Sequence, residues 1–388
     1  MTESAVVYSR APDAEGAAAE LAAKIAAKLP GAPPDALVLF AAPTYDQAKL
    51  LRSLHAACRP HALVGSSSAG EFTNDTRGEG LSCALALRST DMQFAAGIGR
   101  GLSQSRADAA AELVSSFKGL SGQDHLSHTA LVLTDALAGY ADDLVDQLTL
   151  ATSGKYQFFG GGAGDNAQFR RTSVFFGTEV VNDAVVGLEI LSNKPLGIGV
   201  GHGWEPASKP MRVTASEGLR LISLNGMPAA QAFEDHAEAT GQPLDHAAAI
   251  PFFLHNILGI ETAGGHRLRV PLAIHDDGSV TCASEIPRGA VVHIMRTTPE
   301  SAVGAAARAT KAALAGLEGQ KPGVALFFDC VATRLRMGEV FGLELRALAD
   351  QLGDASFVGC NTHGQVARAP GQFGGFHNCT AVVCVLPE

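Results

Sequence analysis

The sequence predicts an α/β protein built from repeated strand–helix–strand–helix–strand–strand modules, which form two pseudo-symmetric halves with mixed sheets. Three observations carry this. One strand-to-turn signal occurs three times, as Leu63-Val64-Gly65-Ser66-Ser67-Ser68-Ala69-Gly70-Glu71, as Phe158-Phe159-Gly160-Gly161-Gly162-Ala163-Gly164-Asp165, and as Phe357-Val358-Gly359-Cys360-Asn361-Thr362-His363-Gly364-Gln365. Aligned on the last glycine, each copy ends in an oxygen-bearing side chain: Glu71, Asp165 or Gln365. The same order of apolar strands and alanine-rich helices recurs around each copy. Finally, 388 residues with 46% hydrophobic and 18% charged content can bury one large core or a few smaller ones.

Taken in order, the first module starts with a strand at 5–9 and an alanine-rich helix near 13–29, capped by Asp13 and ended by Pro30-Gly31. A buried strand at 36–41, a helix at 45–58, the first turn and a closing strand at 81–87 follow. The second module repeats this with strands at 92–98, 129–133, 156–159 and 184–191, and helices at 105–117 and 142–150. The third reads as strands at 290–295, 324–328, 356–359 and 380–386, with helices at 299–317 and 338–352. Residues 1–200 are therefore expected to form one domain of two modules. Residues 201–388 form a second, in which an inserted segment, 201–289, precedes the third module at 290–388.

The inserted segment breaks the repeat. Short strands at 212–214 and 220–224 lead to an Asn225-Gly226 turn, and helices are expected at 228–239 and 246–258. Two further strands, 267–273 and 279–282, meet at Asp276-Asp277-Gly278. Six of the thirteen histidines fall here: His202, His236, His246, His255, His266 and His275.

Composition excludes several classes. A net charge of −10 without a Lys/Arg cluster argues against a nucleic-acid or anionic-membrane surface. The start has no basic region followed by an apolar one, and no apolar run approaches membrane-spanning length. Seven cysteines with no CxxC pair read as reduced thiols, so a cytoplasmic protein is expected. There is no HExxH, no GxSxG and no GxxxxGK[ST].

Two groups of residues carry chemistry. Turns at the ends of buried strands are where α/β folds hold ligands, because backbone N–H groups converge there. Brought together, the three turns would line a cavity with Ser66, Ser67, Glu71, Asp165, Asn166, Asn361, His363 and Gln365. Alternatively, the glycines serve only tight connections. The second group is Cys330 at a strand end with Arg334 four residues on, where a guanidinium and a helix start would lower a thiol pKa or hold an anion. A packed cysteine and a surface arginine is the alternative. His246 and His255 stand nine apart on a candidate helix, which puts them on different faces.

The three turns, His202-Gly203-Trp204-Glu205-Pro206, Leu224-Asn225-Gly226-Met227-Pro228-Ala229, the stretch from Leu326 through Asp329-Cys330 to Arg334, and His377-Asn378-Cys379-Thr380 together resemble the FIST proteins. That family is named for F-box and intracellular signal transduction. The resemblance implies a cytoplasmic, ligand-binding input module working with a separate histidine kinase or cyclic-dinucleotide enzyme. It implies an amino-acid-like ligand or, as in some members, haem b used to sense nitric oxide, with His246, His255 and His363 as candidate iron ligands. His363 stands where the family pattern leads one to expect an aromatic such as Tyr, and Gln365 where it leads one to expect Glu. Beside the sensor stands an enzyme reading in which a Cys330 thiolate acts on a small anionic substrate.

Overall fold

Local chemistry sets the helices. In the computed structural model, which describes residues 1–121, 125–369, 371 and 374–388, the Asp13 carboxylate accepts the Gly16 amide and starts the helix Ala14–Lys28. Asp46 does the same for Gln47–Cys58 and Ser105 for Arg106–Val114. Thr298 and Ser301 form a reciprocal capping box, with Pro299 in the first turn of Pro299–Ala315.

Three six-stranded mixed sheets follow one order. In the first, Thr2–Ser9 lies at the edge, then Ser82–Ser89, Ala36–Ala41 and Ala62–Ser67, and finally the hairpin Val174–Phe176/Glu179–Val181. The second runs Met92–Arg100, Ala184–Ser192, Ser127–Thr134, Gln157–Gly162, then the hairpin Gln365–Arg368/Gly375–His377. The third runs Gly197–Gly201, Ala381–Pro387, Pro322–Cys330, Ser356–Thr362, then the hairpin Glu71–Thr73/Arg77–Gly78. Each outer hairpin therefore comes from a different module, and the loan runs in one direction around a ring. The repeat is threefold in sheet order, with two copies in the first half of the chain and one in the second.

The third module departs from the expected order at its start. The strand expected at 290–295 exists as Val291–Arg296, but it pairs with Ile257–Thr262 and Met211–Glu217 in a separate nine-stranded sheet. The edge position is held by Gly197–Gly201, paired with Ala381–Pro387. The reason is close packing: methyl groups on Gly197 and Gly199 would overlap the carbonyl oxygens of Ala313 and Ala309 in the helix above. Gly97 and Gly99 meet Leu113 and Ala109 in the same way in the second module. Glycine on the strand against alanine on the helix lets the two backbones approach to this distance.

Residues 205–296 thus interrupt the third module between its first strand and first helix. The helix expected at 246–258 is instead a 3-10 turn, His246–Ala248, a short helix, Ile250–Phe253, and the strand Ile257–Thr262. The inward faces of the three sheets share one core around Phe40, Phe159 and Phe328, with Phe328 meeting Phe40 edge-on at 5.6 Å. Burying each ring contributes about 1.5–3 kcal/mol. The helices cover the outer faces.

Candidate functional site

The three turns meet at the centre of the ring. The Ala69 amide donates to the Asn361 carbonyl at 2.9 Å, Gly164 to Ser67 at 2.9 Å, and His363 to Gly162 at 3.0 Å. The register behind these bonds is set by three strand glycines: Gly65 lies opposite Leu39, Gly160 opposite Val132 and Gly359 opposite Phe327. A methyl group on any of the three would overlap the carbonyl oxygen opposite. Counted from these glycines, Glu71, Asn166 and Gln365 are equivalent, and Asp165 takes the place of Gly70 and Gly364.

Several expected site residues are framework. Glu71 accepts from the Ser68 hydroxyl and, at 3.0 Å, from the Leu81 amide. Gln365 spans the same two positions with one bond reversed: its Nε2 donates to Thr362 Oγ1 at 2.8 Å, and its Oε1 accepts the Thr380 amide at 3.3 Å. Both tie the base of a lent hairpin to its own module's closing strand. Ser67 Oγ accepts the Ser173 amide at 2.9 Å, and Ser66 is buried in the first sheet. Asp165 accepts four amides, those of Gln168, Phe169, Arg170 and Arg171. Burial alone would push its carboxyl up, but these amides and His363 outweigh it and leave it below its usual value. Asn166 opens that loop with a left-handed φ of 56°.

Three clefts repeat with the sheets, each between the end of the strand Ala36–Ala41, Ser127–Thr134 or Pro322–Cys330 and the hairpin lent to that sheet. The first, about 500 Å³, lies between 43–48 and the loop of Asp165, Arg170 and Arg171. The third, about 380 Å³, holds Glu71, Asn361 and Arg334, with Arg334 ion-paired to Glu79. The second is the smallest, about 180 Å³, because the inserted sheet roofs it with Val270, Leu272 and Cys282. Its floor carries Cys330, His363 and Asn378. Cys330 and Arg334, expected together, therefore serve different clefts, although both stand at or on the helix Val331–Met337.

His363 is the polar feature of the roofed cleft. Its ring stacks on Phe169 at 4.5 Å and 19°, with Nε2 3.4 Å from Asp165 Oδ1, yet among the described residues neither ring nitrogen has a hydrogen-bond partner. Burial pushes its pKa down to about 4 against the pull of Asp165, so the imidazole is neutral at pH 7. Beside it, a hydrogen bond from the Cys379 thiol lowers the Cys330 thiol, opposed by burial. Among the described residues, no lysine, arginine, aspartate or glutamate lines this cleft.

The haem candidates do not assemble a haem pocket. His246 lies outside all three clefts, with Nε2 3.1 Å from Glu234 Oε1, and His255 is exposed. The cleft of His363 is smaller than the roughly 300–1,000 Å³ that buries a drug-sized ligand, and a porphyrin is larger than such a ligand. One feature that sequence reasoning missed joins the units around this cleft. Arg269 of the inserted sheet is fully buried and pairs with Asp142 of the second module, which also accepts the Phe376 amide at 2.9 Å. An alternating strand at 267–273 gives no sign of a buried arginine.

Comparison with known families places this arrangement. The FIST N domain profile matches residues 35–227, and the FIST C domain profile matches residues 229–368. The chain belongs to the FIST family. FIST domains are sensor domains of signal transduction, which supports a sensory role for this FIST protein. An uncharacterized protein of Methanocaldococcus jannaschii is 28% identical over 153 residues, 37% of this chain and 30% of that protein. The chain thus matches under a third of that relative's length. A cyanuric acid hydrolase from A. caulinodans aligns over 100% of both chains at 9% identity, with a TM-score of 0.34, too distant to bear on activity.

Proposed function

We propose that this FIST protein senses a small, uncharged, largely apolar molecule in the roofed cleft and reports it to a separate cytoplasmic signalling protein, such as a histidine kinase or a cyclic-dinucleotide enzyme. The observation that carries this reading is His363, a neutral, buried imidazole with two unpartnered nitrogens in a cleft without charged side chains. Such a ring offers one donor and one acceptor to a ligand. A cavity of 180 Å³ is close to the roughly 150 Å³ apolar cavity that accepts benzene, so the ligand is a ring or short chain bearing one polar group. Among the described residues no helix is long and apolar enough to cross a membrane.

The cleft's walls suit signalling because they come from separate units. Leu137 and Phe169 belong to the second module, Leu272 and Cys282 to the inserted sheet, and Cys330 and His363 to the third module. A ligand that fills the space favours one spacing of the three, and differential affinity of this kind is what shifts a conformational equilibrium. The lowered Cys330 thiol beside His363 favours thiol chemistry as a second reading. That cleft holds no counter-charge for an anionic substrate, however, and this ranks the sensor first.

Calorimetry with phenol and benzoate at pH 7 tests the reading. Phenol should bind and benzoate should not, and His363→Leu should weaken phenol by about three- to tenfold, the loss of one hydrogen bond. Equal binding of phenol and benzoate, or a His363→Leu protein that binds phenol unchanged, would refute it.

A further inference from the structure

The third module's cleft carries a polar site that the roofed cleft does not use. At about 380 Å³ it falls within the size range of small-molecule pockets, roughly 300–1,000 Å³. Asn361 is 1% exposed, and among the described residues its Nδ2 has no hydrogen-bond partner. Arg334 Nε is buried and unpartnered as well. The two side chains flank one point: a methyl group on Gly70 would stand 2.9 Å from Asn361 Oδ1 and 3.4 Å from Arg334 Cδ. Buried donors without acceptors are uncommon because leaving them so is costly, and two on one wall call for an acceptor.

Arg334 is ion-paired with Glu79, and the two sides differ in how firmly they are held. The Arg334 side chain is 15% exposed, whereas that of Glu79 is 54% exposed. Glu79 stands between Gly78 and Gly80, and Gly80 has a φ of +82°, which suits a glycine. A carboxylate on a short glycine-flanked tether thus sits on an arginine anchored in a helix.

We propose that Arg334 and Asn361 bind the carboxylate of a small molecule, and that Glu79 holds that position as a tethered occupant until the ligand displaces it. A guanidinium matches a carboxylate through paired N–H groups, which an amide beside it extends. Glu339 shares the cleft and disfavours a second negative charge, so the class is a monocarboxylate. Phe72, Leu335 and Phe341 line the rest and accommodate an apolar body.

The test is calorimetric titration of the full chain with propionate at fixed ionic strength, with propionamide and sulfate as controls. Propionate should bind and the two controls should not. Glu79→Gln removes the internal competitor and should tighten propionate by about two- to fivefold, the range of an exposed ion pair. Arg334→Gln should abolish binding. Unchanged or weaker propionate binding in Glu79→Gln overturns the proposal, as does an equal gain for sulfate. Should Arg334→Gln fail to fold, the Glu79→Gln arm decides, since that side chain lies at the surface. Phenol titrated into Glu79→Gln should bind as in the wild type, which separates this site from the His363 cleft.

Discussion

Replacing His363 with phenylalanine should make the protein more stable while removing its ligand response. Both ring nitrogens are buried without partners, and an unmet buried polar group costs about 1–3 kcal/mol. Phenylalanine keeps the stack on Phe169, worth about 0.5–1.5 kcal/mol, and the adjoining cleft takes up its slightly larger volume. The expected gain at pH 7 is about 1–2 kcal/mol. Acid enlarges it. The folded-state pKa of His363 is depressed to about 4 from an ordinary 6.5, so between those values the unfolded chain binds the extra proton. Stability from this group is therefore full above pH 6.5 and is lost as pH falls to 4, by on the order of 3 kcal/mol. Glu71 acts in the opposite sense. Burial raises its carboxyl from 4.5 to about 7, so its contribution is full below 4.5 and fades as pH rises through 7. The two nearly offset in the wild type, and the informative quantity is the difference between wild type and variant. Urea unfolding followed by the fluorescence of Trp204, the one tryptophan, measures it across pH 4–7. A His363→Phe protein less stable at pH 7, or a difference that stays flat with pH, would refute the reasoning.

Gly359→Ala should cost about 3 kcal/mol, since its methyl group would overlap the Phe327 carbonyl and come 2.6 Å from Phe72 Cε2. Gly304→Ala in the helix Pro299–Ala315 should instead stabilise by about 0.5–1 kcal/mol; urea midpoints of the pair check both. Asp142→Ala leaves Arg269 buried without its partner and should cost about 3–5 kcal/mol by the same assay. The double change Asp142→Leu with Arg269→Met should recover much of that loss, because no charge is then stranded.

Local elements were legible because their signals are local. Asp13 announced a helix start by a side chain that bonds an amide a turn away, and Pro299 by a ring that fits the first turn. The three turns were legible as repeats, and they do converge. Their alignment slipped by one in the second copy, because the loop held by Asp165 lengthens that turn before its hairpin. The hairpins themselves escaped, since each pairs with a strand of another module and nothing nearby in sequence names that partner. The third module's first strand was legible in principle: Gly197-Ile198-Gly199 repeats Gly97-Ile98-Gly99, and both lie under alanine-rich helices. Cys330 and Arg334 were read as one site from their closeness in sequence. The helix between them turns the arginine to the lent hairpin while the thiol faces the inserted sheet.

The circular loan of hairpins means that no module holds all the strands of its own sheet. A lone first module would lack Val174–Phe176 at one edge and would offer Glu71–Thr73 to an absent third sheet. Three identical single modules could satisfy every one of these pairings as a ring of separate subunits. The present chain is such a ring on one backbone, in which the three copies need not stay identical. One copy could then accept the inserted sheet without imposing it on the other two. The same interlock implies that the halves, expressed as separate polypeptides, would be obligate partners that fold only when mixed.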